Sequence, residues 1–360
     1  MDYRARQERL AAEVERRRGD SFLITHRANV RYLCGFTGSA GVLAYAQGKL
    51  AFFTDGRYTV QARAEVQGAR VVTGRGPAME AAAGWLLGRR SGRVGIETDH
   101  MTIAGRAQLA RLLRGRRKAR LRSMPAMVER LRMLKDAGEL ELIRRAVRLG
   151  SSLFDTAVAA IRPGATETAV AAELEYEARR AGAEAMSFES IVAGGANSAL
   201  PHWRASSQVI PNTGFVVLDF GVILSGYCSD MTRTVWVGKA DKWARETYQA
   251  VLEAQSAGIE AVRPGATAGD IDHAARQVLH RSGLAKYFTH STGHGVGLEI
   301  HEAPRLARGE TEVLRPGMVI TIEPGVYMPG KGGVRIEDMV AVTETGHEVL
   351  TPTPKQFMAV

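Results

Sequence analysis

Long apolar runs are missing from this chain. No stretch of about 18 apolar residues occurs, so no transmembrane helix, and no membrane partner, is expected. Cysteine is scarce. Cys34 and Cys228 are too few for a disulfide framework, and a reducing cytoplasm is the expected setting. The N-terminal segment MDYRARQERLAAEVERRRGD is charged and has no apolar stretch of the secretory type. It reads as an opening surface helix. A G-x-x-x-x-G-K-[ST] phosphate loop, zinc-finger spacing and the zincin H-E-x-x-H motif are absent too.

Positive charge is in excess, at a net +10, and the excess is concentrated. Arg111, Arg114, Arg116, Arg117, Lys118, Arg120 and Arg122 crowd one run. Without the interleaved aromatics of a single-strand binder, this run reads as a solvated helix face rather than a nucleic-acid grip. No nucleic-acid partner is expected.

The chain has 360 residues, 45% of them hydrophobic, enough for two domains with cores of their own. Residues 21–24, 42–46 and 50–53 read as short buried strands, and 76–90 and 104–116 as helices. This alternation implies a small α/β domain over residues 1–123 and a second domain over 124–360. A long amphipathic helix is expected from Ala126 to about Ile161, running through Gly138.

The second domain contains a duplication. Ala160-Ile-Arg-Pro-Gly-Ala-Thr166 recurs as Ala261-Val-Arg-Pro-Gly-Ala-Thr267, an offset of 101. Thr166 and Thr267 are candidate N-caps, and Gly182 and Gly283 candidate C-terminal stops. Further on, Gly214-Phe-Val-Val-Leu-Asp-Phe-Gly-Val222 resembles Gly317-Met-Val-Ile-Thr-Ile-Glu-Pro-Gly-Val326. Each copy then gives a second strand with a carboxylate near its start, Asp230 and Glu337. Four matches in order imply two pseudo-symmetric halves facing one another.

Asp219, Asp230, Glu323 and Glu337 therefore fall in pairs beside buried strands. A carboxylate in such a place is costly unless paired or bound to a cation. Four meeting at one axis would repel, and divalent cations are the natural counter-charge. His290, His294 and His301 follow one another in a glycine-rich stretch, with His202 a further candidate. The residues alone leave open which of these binds metal. Two cations sharing a water can make it a hydroxide near neutral pH and polarise a carbonyl. No Ser or Cys nucleophile is then required.

The segments Ile191–Asn197 with Pro201-His202, Leu218–Gly221, Ser229–Thr234, Thr292–Leu298 with His301–Pro304, Thr321–Gly325 and Gly333–Asp338 resemble the Xaa-Pro peptidases, aminopeptidase P and prolidase. Gly35–Gly41 and Phe53–Tyr58 resemble the creatinase-like domain of that family. The resemblance implies an α/β pita-bread catalytic domain of two pseudo-symmetric halves around a curved sheet, after a small creatinase-like α/β domain. It also implies two divalent metal ions, Mn first and Zn or Co otherwise, on Asp219, Asp230, His294, Glu323 and Glu337. Glu323 would shuttle the proton, and His202 and His301 would serve the scissile carbonyl. His290 would line the proline pocket, while Arg335 and Tyr327 would orient Asp219. The implied activity is hydrolysis before a penultimate proline in a peptide substrate, by an aminopeptidase using a metal-bridging hydroxide.

The alternative is a prolidase confined to dipeptides, whose free carboxylate Arg305 or Arg308 could receive. The N-terminal segments favour the aminopeptidase. A creatinase-type amidinohydrolase lacks this metal set, and a non-catalytic peptide-binding module would have lost ligands. The family commonly forms dimers, so a homodimer is expected.

Overall fold

The computed structural model describes residues 1–89, 91–114 and 119–360. It divides into two compact units, Met1–Arg132 and Met133–Val360.

The first unit is built on one mixed sheet. Its strands are β1 (Ser21–Ile24), β2 (Val42–Ala46), β3 (Lys49–Asp55), β4 (Arg70–Gly74), β5 (Arg93–Ile96) and β6 (Arg120–Ser123), in the order β4-β3-β2-β1-β5-β6. Helices α1 (Tyr3–Arg16), α2 (Arg27–Cys34), α3 (Thr59–Glu65), α4 (Ala78–Gly88), α5 (Ile103–Leu112) and α6 (Met127–Arg132) complete it. Asp2 caps α1 by accepting from the Ala5 N–H. The expected strands at 21–24 and 42–46 match β1 and β2 residue for residue.

The basic run departs from expectation. Its first residues close α5, but Arg120 and Arg122 stand exposed on β6, at the end of the sheet order. Charge on an end strand discourages further strand pairing. Arg116, Arg117 and Lys118 lie outside the described residues. The division also falls after α6 rather than near residue 123, because α6 packs on α1 and α2.

The second unit opens with α7 (Ala137–Ser152), α8 (Phe154–Ala160) and α9 (Glu167–Arg180). The single helix expected over 126–161 is thus α6, α7 and α8. Asp136 stops its continuity: it accepts from the Glu139 N–H while Glu139 reaches back to the Asp136 N–H, a reciprocal cap that starts a new helix. Next come β7 (Ala185–Met186), β8 (Ile191–Gly194), β9 (Gly214–Phe220), β10 (Val222–Leu224), β11 (Tyr227–Cys228) and β12 (Met231–Val237). After α10 (Lys242–Ala261) and α11 (Ala268–Arg281) come β13 (Gly293–Gly295), β14 (Glu302–Leu306), β15 (Val319–Ile322), β16 (Gly325–Met328), β17 (Gly332–Arg335), β18 (Asp338–Val342) and β19 (His347–Val349).

The duplication is structural. Central β9 lies antiparallel between β8 and β12, as β15 lies between β13 and β18. Thr166 caps α9 and bridges Val209; Thr267 caps α11 and bridges Val313. Gly182 and Gly283 adopt φ of 99° and 72°, the left-handed region that ends each helix cheaply only as glycine. Apolar cores fill both halves. One joins α8 and α9 to β9 and β12 through Leu174, Val216, Leu218 and Val235. Another joins α11 to β15 and β18 through Ile271, Ile320 and Val340. Among the described residues, no helix is long and apolar enough to cross a membrane.

Candidate metal centre

Asp219 sits within β9, and Glu323 follows the last residue of β15. Asp230 and Glu337 immediately precede β12 and β18, the antiparallel neighbours of those strands. Strand pairing therefore brings the carboxylates together two by two, and all four line one pocket with His202, His290, His294, His301, Arg305 and Arg335. The pocket holds about 800 Å³. Phe188, Ile191, Pro201 and Ile300 supply apolar wall. Of the expected site residues, Tyr327 does not line the pocket and acts from behind it, whereas Arg308 lies in a separate cleft beside α11.

His294 lies on β13, whose counterpart in the first half is β8, Ile191-Val-Ala-Gly194, with no donor side chain. The duplication thus explains four carboxylates in pairs and leaves the imidazole private to the second half. Gly293 is required beside it, since a Cβ there would fall 1.9 Å from the Thr321 carbonyl oxygen.

The residues fit a cation. His294 Nδ1 faces the Gly295 carbonyl at 2.9 Å. A carbonyl only accepts, so Nδ1 carries the proton and Nε2 is bare. Nε2 points at Asp230 Oδ2, 3.6 Å away, and Glu323 Oε1, 3.5 Å away. These separations exceed a hydrogen bond but suit two ligands of one ion. Asp230, His294 and Glu337 offer ligand atoms within 4.8 Å of one another. Asp219 Oδ1 and Glu337 Oε1 are buried with no hydrogen-bond partner among the described residues. Orphaned carboxylate oxygens of this kind are expensive unless a cation satisfies them.

Electrostatics agree. Burial raises the Asp230 carboxyl well above the ordinary range, and the charges of Asp219 and Glu323 add to it. Glu337 moves the same way, through burial and then the charges of Asp230, Glu323 and Asp219. Burial pushes Glu323 up to about 7, with Arg335 opposing. It also lowers His294 to about 4 and His290 to about 3, keeping both imidazoles neutral.

A frame of hydrogen bonds holds these candidate ligands. Arg335 Nη2 donates to Asp219 Oδ2 at 2.5 Å and Nη1 to the Tyr327 hydroxyl at 2.6 Å. Tyr327 lies 2.8 Å from His290 Nε2. Arg335 Nε donates to Thr232 Oγ1, which donates to Glu337 Oε2. Behind Glu337, fully buried Arg233 donates from Nη1 to the Glu337 carbonyl and from Nη2 to Asp338 Oδ1. Lys355 and Gln255 donate to Asp338 Oδ2.

Sequence reasoning missed Glu167, the first residue of α9. Its buried carboxylate accepts from the Gly194 and Ser206 N–H groups, Asn197 Nδ2, Trp203 Nε1 and Ser206 Oγ. Those partners bracket His202. Burial works to raise this carboxyl, and the donors outweigh it, holding it below the ordinary range. The counterpart in the duplication is Ala268, so the anchor exists only where a loop carries His202. An acid after an N-cap threonine looks like ordinary helix-dipole pairing, which hides the role.

Residues 141–344 match Metallopeptidase family M24, and residues 6–134 match the Creatinase/Prolidase N-terminal domain. The chain belongs to metallopeptidase family M24, with a creatinase-like first domain and a pita-bread second domain. It is 45% identical over 232 residues to an Xaa-Pro dipeptidase of Pyrococcus furiosus, covering 64% of this chain and 67% of that one. An Xaa-Pro dipeptidase structure from Bacillus anthracis superimposes with a TM-score of 0.96 at 39% identity, over 99% of this chain and all of the other. For an X-Pro aminopeptidase from Thermotoga maritima the TM-score is 0.89 at 34% identity, over 96% and 99%. Membership implies divalent metal ions as cofactors and a peptide as substrate.

Proposed function

We propose that this peptidase hydrolyses the bond before proline and that its substrates are Xaa-Pro dipeptides. The observation that carries the dipeptide reading is Arg305, exposed in the same pocket wall as His301 and Glu302. A guanidinium there meets the free carboxylate that a dipeptide carries immediately after its proline ring. The names of the Pyrococcus and Bacillus relatives support this reading. The sequence segments Gly35–Gly41 and Phe53–Tyr58, with the Thermotoga relative, support the aminopeptidase as second reading.

Asp219, Asp230, His294, Glu323 and Glu337 would hold two divalent ions, and four carboxylates with one imidazole suit Mn2+. Bound there, the ions would activate a shared water and polarise the scissile carbonyl. The chain's own residues do the rest. Glu323 would take a proton and pass it to the departing proline nitrogen. His202 and His301 stand at the pocket surface to donate to the developing oxyanion. His290 and the apolar wall receive the proline ring, while Arg335 and Tyr327 fix Asp219. The homodimer belongs to the proposal, and light scattering should then give twice the mass of one chain.

The test is Arg305→Met assayed on Gly-Pro and on an Xaa-Pro-Xaa tripeptide. Losing one charge-assisted contact should lower kcat/KM for the dipeptide about 100-fold. Efficient tripeptide cleavage by the unaltered chain, insensitive to Arg305, would hand the case to the aminopeptidase.

A further inference from the structure

Helix α11 grips the loop that precedes β13. Asp272, buried on that helix, accepts from Thr292 Oγ1 at 2.8 Å and from Arg276 Nε at 2.7 Å. The Arg276 guanidinium turns its other nitrogens to the loop backbone. Nη1 donates to the Phe288 carbonyl at 3.1 Å and Nη2 to the His290 carbonyl. Its Cζ stands 4.1 Å from the Phe288 ring centroid. Loop carbonyls outside helix and strand need donors of this kind when they are covered. A planar fork serves three acceptors at once, which an ammonium on a flexible stem does not.

The clamp has a counterpart in the duplication. At the offset that relates Thr166 to Thr267, Arg276 answers Glu175 on α9. Glu175 Oε1 accepts from Ser190 Oγ at 2.9 Å. Ser190 stands just before β8, as Thr292 stands just before β13. Both helices therefore tether the segment that enters an inner strand, and α11 adds a grip on the loop backbone. That loop lines the pocket through Thr289, His290 and Ser291. Both His290 nitrogens are engaged within the protein, Nδ1 at the Ser291 carbonyl, 2.7 Å away, and Nε2 at the Tyr327 hydroxyl. His290 thus offers ring carbon to the pocket, and its contact with a substrate depends on where the loop holds it.

On the Xaa-Pro reading above, we propose that Asp272 and Arg276 are positioning residues for substrate binding. They fix the loop over 288–292 at the depth where His290 meets the proline ring. Neither residue lines the pocket itself. Contact with a ring that does not react is alike in the bound substrate and the transition state, so loosening it raises KM and spares kcat.

Arg276→Met is compared with the unaltered full-length protein, both loaded with Mn2+. On Gly-Pro, KM should rise about tenfold with kcat within about twofold, the scale of one lost charge-assisted contact. Manganese content should not change. Backbone hydrogen exchange over 286–292, followed by mass spectrometry, should quicken at least about tenfold while β9 exchanges as before. A fall in kcat as large as the rise in KM, a loss of manganese, or unchanged exchange overturns the assignment. Faster exchange with an unaltered KM overturns it too. Arg276→Lys, which keeps the ion pair and gives up the fork, replaces Arg276→Met should that variant not fold, with both readouts moving the same way. If the unaltered protein cleaves neither Gly-Pro nor an Xaa-Pro-Xaa tripeptide, the Xaa-Pro reading falls and the proline role with it. Faster exchange would then still establish the clamp, and unchanged exchange would remove that as well.

Discussion

Arg335 Nη2 lies 2.5 Å from Asp219 Oδ2, while Asp219 Oδ1 is buried with no partner among the described residues. One oxygen is held by the protein, and the other is the one that the proposed cation would satisfy. Arg335→Lys would keep a charge but lose the fork that reaches Asp219, Tyr327 and Thr232 together. Metal affinity and kcat/KM should fall between about 10- and 100-fold, as for other groups that orient ligands. Metal titration followed by activity reads both; an unchanged metal affinity would remove Arg335 from this role.

Glu323 contributes, with Asp230 and Glu337, to a pH response of the metal-stripped protein. Its carboxyl rises from the ordinary 4.5 to about 7, chiefly through burial. The folded state then binds the proton more tightly than the unfolded one. Stability from this group is present in full below pH 4.5 and is lost as pH rises through about 7. That interval corresponds to about 3 kcal/mol. In EDTA, Tm should decline from about pH 5 to about pH 7.5, and Glu323→Gln should make the decline shallower while abolishing hydrolysis, the raised carboxyls of Asp230 and Glu337 supplying the rest. A steeper decline in the variant, or surviving turnover, would count against both assignments.

Glu167 positions the loop that carries His202. Glu167→Gln keeps the shape but replaces an acceptor with an amide facing five donors. We expect kcat/KM to drop about tenfold with metal content unchanged, the cost of one loosened charge-assisted contact. Loss of metal instead would mean that the variant disturbs the ligands, not the loop.

Gly293→Ala tests the close approach of β13 to Thr321. The added methyl meets a carbonyl oxygen at 1.9 Å, so β13 must shift and carry His294 with it. A stability cost of about 3 kcal/mol is expected, with weakened metal binding. Calorimetry and metal content measure each, and a fully stable, metal-replete variant would show that β13 is free to move.

Much of this was legible in the sequence. The duplication located all four carboxylates, because strands that pair in each half keep equivalent acids at equivalent ends. Strands β1 and β2 could be read because short apolar runs bounded by turn residues admit few alternatives. The break at Asp136 was written as an Asp-x-x-Glu signal but was outweighed by a continuous apolar period. Glu167, Arg233 and Asp338 were invisible as a group. Their partners lie far along the chain, and only folding shows that Arg233 holds the Glu337 carbonyl.

The proposed ligand set spans Asp219 to Glu337 and draws on both halves of the second unit. A chain emerging from the ribosome therefore has no working centre until its second half has been made and has docked. On the proposed ligand set, proteolytic capacity arrives late in synthesis, and a fragment ending before Glu337 lacks one of the five side chains that would hold the metal ions.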